Sequence, residues 1–140
     1  MSEELTFHFD VDGENFTSAG HASVKVKKIL RELGIDPETI RKVSIAMYEG
    51  EINMVIHAGG GEADVSIDDK GVTIVLKDEG PGIEDIDKAM EEGYSTAHDN
   101  IRSLGFGAGM GLPNMKRNSD EMKIDSTVGE GTTITMKVYF

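Results

Sequence analysis

The sequence predicts an α+β fold, a two-layer α/β sandwich in which a mixed, mostly antiparallel sheet carries its helices on one face. Three observations predict it. Apolar residues recur at every second position in short runs near both ends and in the middle of the chain, the period of half-buried strands. Two longer segments between the first runs place apolar residues at helical spacing instead. The middle runs are separated by a turn too short for a crossover helix, so they must pair antiparallel.

The elements follow in order. "LTFHFDV" alternates Leu5, Phe7, Phe9 and Val11 with polar partners and reads as a first strand. In "SAGHASVKVKKILRELG", Ala22, Val26, Ile29, Leu30 and Leu33 share a helical face, and Gly34 supplies the left-handed cap that ends many helices. Those apolar positions suit either the core or a homodimer contact. "DPETIRKVSIAMYEGEINMVIHAGGG" opens with Asp36 as N-cap and Pro37 at the first helical position, and its apolar positions continue to Ile56 before three glycines stop it. "ADVSIDD" and "KGVTIVLKD" make two strands, with Val65 and Ile67 facing Val72, Ile74 and Leu76 across a turn at Asp69, Lys70 and Gly71. After "EGPGI", a short helical piece "EDIDKAMEEG" leads to a glycine stretch. The chain closes with a helix from about Leu112, a strand near "EMKIDS", a "VGEG" turn and a last strand "TTITMKVYF". No linker, repeat or low-complexity segment interrupts this order, so residues 1–140 are expected to form a single domain.

Composition narrows the function classes. The formal net charge of -12 argues against nucleic acid, whose counterions only a basic face displaces, and against an acidic membrane surface. No apolar run is long enough to span a bilayer and no basic-then-apolar leader is present, which makes a cytoplasmic location the expectation. The sequence has no cysteine, and His8, His21, His57 and His98 lack ligand spacing, so disulfides and structural zinc are not expected.

Three constellations carry chemistry. Glu49 and Asn53 lie four apart on the long helix, one turn from each other on one face. Asn offers a neutral oxygen to Mg²⁺, and Glu can take a proton from a hydroxyl, although an exposed polar pair on an amphipathic helix also fits. Glu51 points elsewhere and reads as solvated surface. The second is "DEGPGI": Asp78 at a strand end can accept from an exocyclic amine, and Gly80 and Gly82 let a flat ring approach the backbone. A plain Gly/Pro turn also fits. The third is "GFGAGMG", residues 105–111, with glycine at every second position before the helix "LPNMKRN". It lacks the lysine and hydroxyl residue of a P-loop, and its amides at a helix start suit phosphate oxygens. A flexible linker would not alternate glycine so regularly.

Taken in sequence, Glu-x₃-Asn, Asp-x-Gly-x-Gly, the glycine string and "GEGTT" resemble the Bergerat-type, histidine-kinase-like ATP-binding fold shared by gyrase B, MutL, histidine kinases and anti-sigma-factor serine kinases. The resemblance spans Glu49 to Thr133. It implies Glu49 as catalytic base, Asn53 as Mg²⁺ ligand and Asp78 as adenine contact. It further implies Gly80, Gly82 and Ile83 as a first glycine box, Gly105, Gly107, Ala108, Gly109, Met110, Gly111 and Leu112 as a second, and Thr132 beside the adenine. Residues 84–104 would be the ATP lid. Among the branches, histidine kinases carry a dimerisation helix where the 48 residues before Glu49 here start with a strand, and no long transducer domain is expected, so the chain is most similar to the anti-sigma kinases and their stressosome switch type. That branch implies ATP and Mg²⁺ as cofactors and phosphorylation of Ser or Thr on a STAS-domain partner, with a sigma factor or phosphatase as a further partner. A nucleotide-dependent binding module with little kinase activity is the alternative, and the presence of Glu49 favours the kinase.

Several neighbours are weighed with these. Lys116, Arg117 and Arg102 could assist the phosphates or be solvated. Ser95 and Thr96 read as capping residues. His57 reads as structural, and Gly50, which costs a helix interior about 1 kcal/mol relative to alanine, hints at a close approach.

Overall fold

In a computed structural model, residues 4–13, 20–83, 85, 86, 90 and 111–140 are described. Among them the order is β1 (Leu5–Asp12), α1 (His21–Glu32), α2 (Pro37–Ala58), β2 (Gly60–Ile67), β3 (Gly71–Lys77), α3 (Gly111–Arg117), β4 (Glu121–Thr127) and β5 (Gly131–Tyr139). The strands form one sheet in the order β1-β2-β3-β5-β4, and every pairing in it is antiparallel.

Alternation fixes which face of the sheet is inside. Phe7, Val65, Ile74, Met136 and Met122 stand in one cross-strand row, and Phe9, Ala63, Leu76, Ile134 and Ile124 in the next. Their neighbours along each strand, such as His8, Asp64, Thr135 and Lys123, face solvent on the open side. α2 lies across the apolar rows, with α1 and α3 against it. Leu30, Val43, Met47, Ile74, Leu76, Met115 and Met136 are wholly enclosed, each worth about 1.5–3 kcal/mol of transfer free energy.

The expected strands and the helices α1, α2 and α3 are present, with boundaries that differ for physical reasons, and the short helical piece expected at "EDIDKAMEEG" lies outside the described residues apart from residues 85, 86 and 90. Ala22, Val26 and Leu30 of α1 belong to the core, which answers the choice between core and dimer at those positions. α2 continues to Ala58, and of the three glycines only Gly59 ends it, as a left-handed cap with φ 72° whose N–H donates to Met54 O. Gly60 and Gly61 open β2 instead, paired with Asp12 and Val11. The hairpin keeps its expected facing, Ile67 on Val72 and Val65 on Ile74, and Asp68 closes the turn by accepting from the amides of Lys70 and Gly71.

One expectation is overturned. Glu51, read as solvated surface, is 2% exposed and accepts backbone N–H bonds from Gly20 at 2.9 Å, Ala22 at 3.3 Å and Ser23 at 2.6 Å. α1 begins at Gly20 in a left-handed conformation with no side-chain cap of its own, so a carboxylate from the next helix satisfies its first donors. A spacing argument within α2 could not see this, because the partner lies about 30 residues earlier in the chain.

Candidate functional site

The residues singled out on α2 converge on α3. Glu49 and Asn53 are both half-buried, and Asn114 Nδ2 donates to Glu49 Oε1 at 3.3 Å. Gly111 lies directly on Asn53: a Cβ there would stand 2.8 Å from Oδ1 and 3.0 Å from Nδ2. The i, i+3 pair Gly111 and Asn114 on α3 therefore matches the i, i+4 pair Asn53 and Glu49 on α2. Among the described residues no hydrogen bond engages the Asn53 amide, so its donor set fits a hard cation such as Mg²⁺.

Gly50 stands three residues before Asn53 on the same helix, and its close approach is real. A Cβ at Gly50 would overlap Leu76 Cδ1 and touch Met115 Sδ at 3.4 Å, so the glycine lets α2 settle onto β3 and α3. That contact sets the depth at which Glu49 and Asn53 sit.

Asp78 occupies the end of β3 and is held in place from several directions. Its N–H donates to Thr132 O at 2.9 Å, while its Oδ1 accepts from Gly80 N at 2.9 Å and Thr132 N at 3.1 Å. Oδ2 has no partner among the described residues and is available to an amine. The Thr132 hydroxyl is 2.8 Å from Ser126 Oγ, which also accepts from Ile83 N at 2.8 Å. Gly129 N donates to Pro81 O at 2.8 Å, so the 78–83 loop is stitched to the β4–β5 turn.

The two glycines of this loop are required by the protein's own packing. A Cβ at Gly80 would stand 2.5 Å from Ala58 Cβ, and Gly82, at φ 79°, would place one 2.6 Å from Thr127 O. The close approach expected from these glycines is thus at least in part the loop's approach to the end of α2 and to β4. His57 is half-buried one turn past Asn53, and burial pushes its pKa below the ordinary value against the upward pull of Asp78.

Lys116 and Arg117 are exposed at the end of α3, and Arg117 Nη1 donates to Asn114 Oδ1 at 3.1 Å. Gly105, Gly107, Ala108, Gly109 and Met110 lie outside the described residues, as do Ser95, Thr96, Arg102 and the 84–104 segment apart from residues 85, 86 and 90. Leu112 is buried in the core and Gly111 is half-buried beside Asn53. Asn114 and Ser126 belong to these networks although no motif marks them. Asn114 was legible only as the residue one turn beyond Gly111. A shallow cavity of about 290 Å³ lies at the opposite end of β3, lined by Asp68, Lys70, Thr73, Lys137 and Tyr139 among others. It is away from Asn53 and Asp78, whose half of the fold carries the donors and acceptors described above.

Comparison with known proteins gives the family. A family model described as a histidine kinase-like ATPase domain matches residues 16–138. The chain is 37% identical over 112 residues to the serine/threonine-protein kinase RsbT of Bacillus subtilis, covering 77% of this chain and 78% of that protein. It is 37% identical over 142 residues to the anti-sigma F factor of Clostridium acetobutylicum, covering 98% of this chain and 92% of that protein. Among solved structures, the RsbU and RsbW domains of Rv1364c from Mycobacterium tuberculosis share the fold with a TM-score of 0.65 at 18% identity, over 95% of this chain and 32% of that longer one. The antiparallel sheet with helices on one face, the Glu49 and Asn53 pair against α3 and these matches together show that the chain belongs to the histidine kinase-like ATPase domain family, alongside serine/threonine-protein kinases and anti-sigma factors.

Proposed function

We propose that the chain is a cytoplasmic, ATP- and Mg²⁺-dependent serine/threonine kinase of the switch type, acting on a small STAS-domain partner and regulating transcription by partner switching. One observation carries this reading: Asn53, whose amide no described residue engages, and Glu49 meet the start of the helix that follows the glycine string. In this reading residues 1–140 form one domain, with the lid at 84–104.

Each residue then has a task. Asp78 Oδ2 accepts from the adenine amine, and Thr132, held by Ser126, lines the same pocket. Gly80, Gly82 and Ile83 shape the pocket wall. Gly105, Gly107, Ala108, Gly109, Met110, Gly111 and Leu112 would bind the phosphates through their backbone amides, a kind of donor that stabilises charge at low reorganisation cost. Asn53 would hold Mg²⁺, which would supply charge neutralisation at the phosphate oxygens. Glu49 accepts the proton of the incoming serine or threonine hydroxyl, the phosphoryl group passes to that oxygen, and ADP departs.

The anti-sigma F relative favours a second reading, in which the chain is a nucleotide-dependent binding module that grips a sigma factor or phosphatase, as a monomer or a homodimer, and turns ATP over slowly or not at all. Thermal unfolding of the wild type and Asn53→Ala with and without Mg-ATP tests the first step. A ligand that binds only the native state must raise the midpoint. The wild type should rise by several degrees and Asn53→Ala should not, and no shift at millimolar ATP would refute the reading. Glu49→Gln then separates the two functions: a kinase phosphorylates the STAS partner as wild type, loses that transfer in the variant and keeps the Mg-ATP shift, whereas a pure binder transfers no phosphate in either form and keeps the shift.

A further inference from the structure

Asn114 stands between the two helices that carry the proposed chemistry, and its side-chain amide is engaged at both ends. Nδ2 donates to Glu49 Oε1 at 3.3 Å, and Oδ1 accepts from Arg117 Nη1 at 3.1 Å. The partners assign the orientation of the amide by chemistry alone. A guanidinium only donates and an ionised carboxylate only accepts, so the oxygen must face Arg117 and the nitrogen Glu49. A flipped amide would set donor against donor at one end and acceptor against acceptor at the other. The backbone carbonyl of Asn114 also accepts from Asn118 Nδ2 at 2.8 Å, which ties the residue to the turn after α3.

We propose that Asn114 is a positioning residue for Glu49, with Arg117 fixing its amide so that one carboxylate oxygen is held and Oε2 is left to face the acceptor hydroxyl. The proposal rests on Glu49 acting as the base. A neutral donor suits that task better than a cation, because a full positive charge at the carboxylate would oppose proton uptake. Arg117 supplies direction through its bond to the Asn114 amide. Because Gly111 packs on Asn53 from the same short helix, any shift of α3 along α2 displaces the proposed metal ligand and the base together. Base orientation and phosphate binding are thereby coupled through one element.

The test uses the full chain, Mg-ATP and water as the acceptor, with calorimetric Kd and steady-state phosphate release for wild type, Asn114→Ala, Asn114→Asp, Glu49→Gln and the Asn114→Ala/Glu49→Gln double variant. Asn114→Asp keeps the shape and replaces the donor with an acceptor, setting two carboxylates face to face. Positioning predicts that Kd changes by less than about twofold, that kcat falls about tenfold in Asn114→Ala and further in Asn114→Asp, and that Asn114→Ala adds nothing once Glu49 is Gln. Wild-type turnover in Asn114→Asp, or a loss of ATP affinity in step with kcat, would mean a packing role and overturn the proposal while leaving Glu49 as base. A second readout does not depend on turnover: the side-chain amide resonances of Asn114 must move on Glu49→Gln, and unmoved resonances overturn the proposal. Full turnover in Glu49→Gln with moved resonances removes the base reading, and the positioning role falls with it.

Discussion

At the scale of the residue, Glu51 and Gly50 show how neighbours on one helix serve different ends. Glu51 ends in a place where burial disfavours its charge and three backbone N–H groups favour it, and burial prevails, raising its pKa above the ordinary 4.5. A carboxyl whose folded pKa is raised binds its proton more tightly when folded. Stability from this group is therefore fullest at and below about pH 4.5, falls as pH rises towards the folded pKa, and is level beyond it. Glu51→Gln removes that slope, and urea unfolding between pH 4 and 7 should show the wild type losing stability relative to the variant across the window. A parallel course for the two proteins would contradict the assignment. Glu51→Ala leaves the start of α1 without its acceptor and should cost roughly 2–4 kcal/mol at neutral pH. Gly50→Ala tests the neighbouring contact. Alanine gains about 1 kcal/mol of helix propensity but must displace Leu76, whose surroundings are closed, at roughly 1–3 kcal/mol. The variant should be less stable than wild type in spite of the better helix former, and a more stable variant would show that Leu76 rotates away freely.

At the scale of the element, legibility followed the range of the forces involved. α2 and the β2–β3 hairpin were readable because capping at Asp36, Pro37 and the period of Val65, Ile67, Val72 and Ile74 act within a few residues. The start of β2 was not, because Gly60 and Gly61 look like helix breakers until Asp12 and Val11 of β1 arrive to pair with them. The site divides in the same way. Glu49, Asn53 and Asp78 stand out as candidates once their order along the chain is matched to the family pattern, whereas Asn114, Ser126 and the capping role of Glu51 depend on contacts 6 to 65 residues apart. β1 supplies a prediction of its own as an edge strand. On its open face His8 bonds Asp64 at 2.7 Å and Asp10 at 3.2 Å, and those carboxylates raise its pKa above 6.5. The protonated imidazole pins β1 to β2, so this contribution is complete below about pH 6.5 and is lost as pH rises through the folded pKa. Comparing wild type with His8→Gln at pH 6 and pH 8.5 should show a difference at the lower pH only. The pair is exposed, so 1 M salt should shrink the difference, and a difference that survives salt would assign it to packing.

At the scale of the whole molecule, net charge sets a condition on how an anionic nucleotide reaches the site. A chain of -12 repels Mg-ATP at long range, whereas the proposed pocket attracts it at short range through oriented amides, with Lys116 and Arg117 at the end of α3. The two ranges respond differently to salt. Raising the ionic strength from 0.01 to 0.1 M shortens the Debye length from about 30 to about 10 Å, which removes the distant repulsion and leaves contacts at hydrogen-bond distance largely intact. The association rate for Mg-ATP should therefore rise with salt over this interval, opposite to the fall seen when a basic cleft steers an anion inwards. Stopped-flow mixing with a fluorescent ATP analogue at 0.01, 0.03 and 0.1 M salt measures it directly. A rate that falls instead would mean that local cations at the pocket mouth dominate the approach, and Lys116→Ala should then lower the rate at 0.01 M and flatten its dependence on salt. A rate that rises, with Lys116→Ala changing it little, would place the barrier in the field of the acidic body as a whole, so that replacing exposed carboxylates on the far, open face of the sheet, Asp64 or Asp125, would speed binding without touching the site.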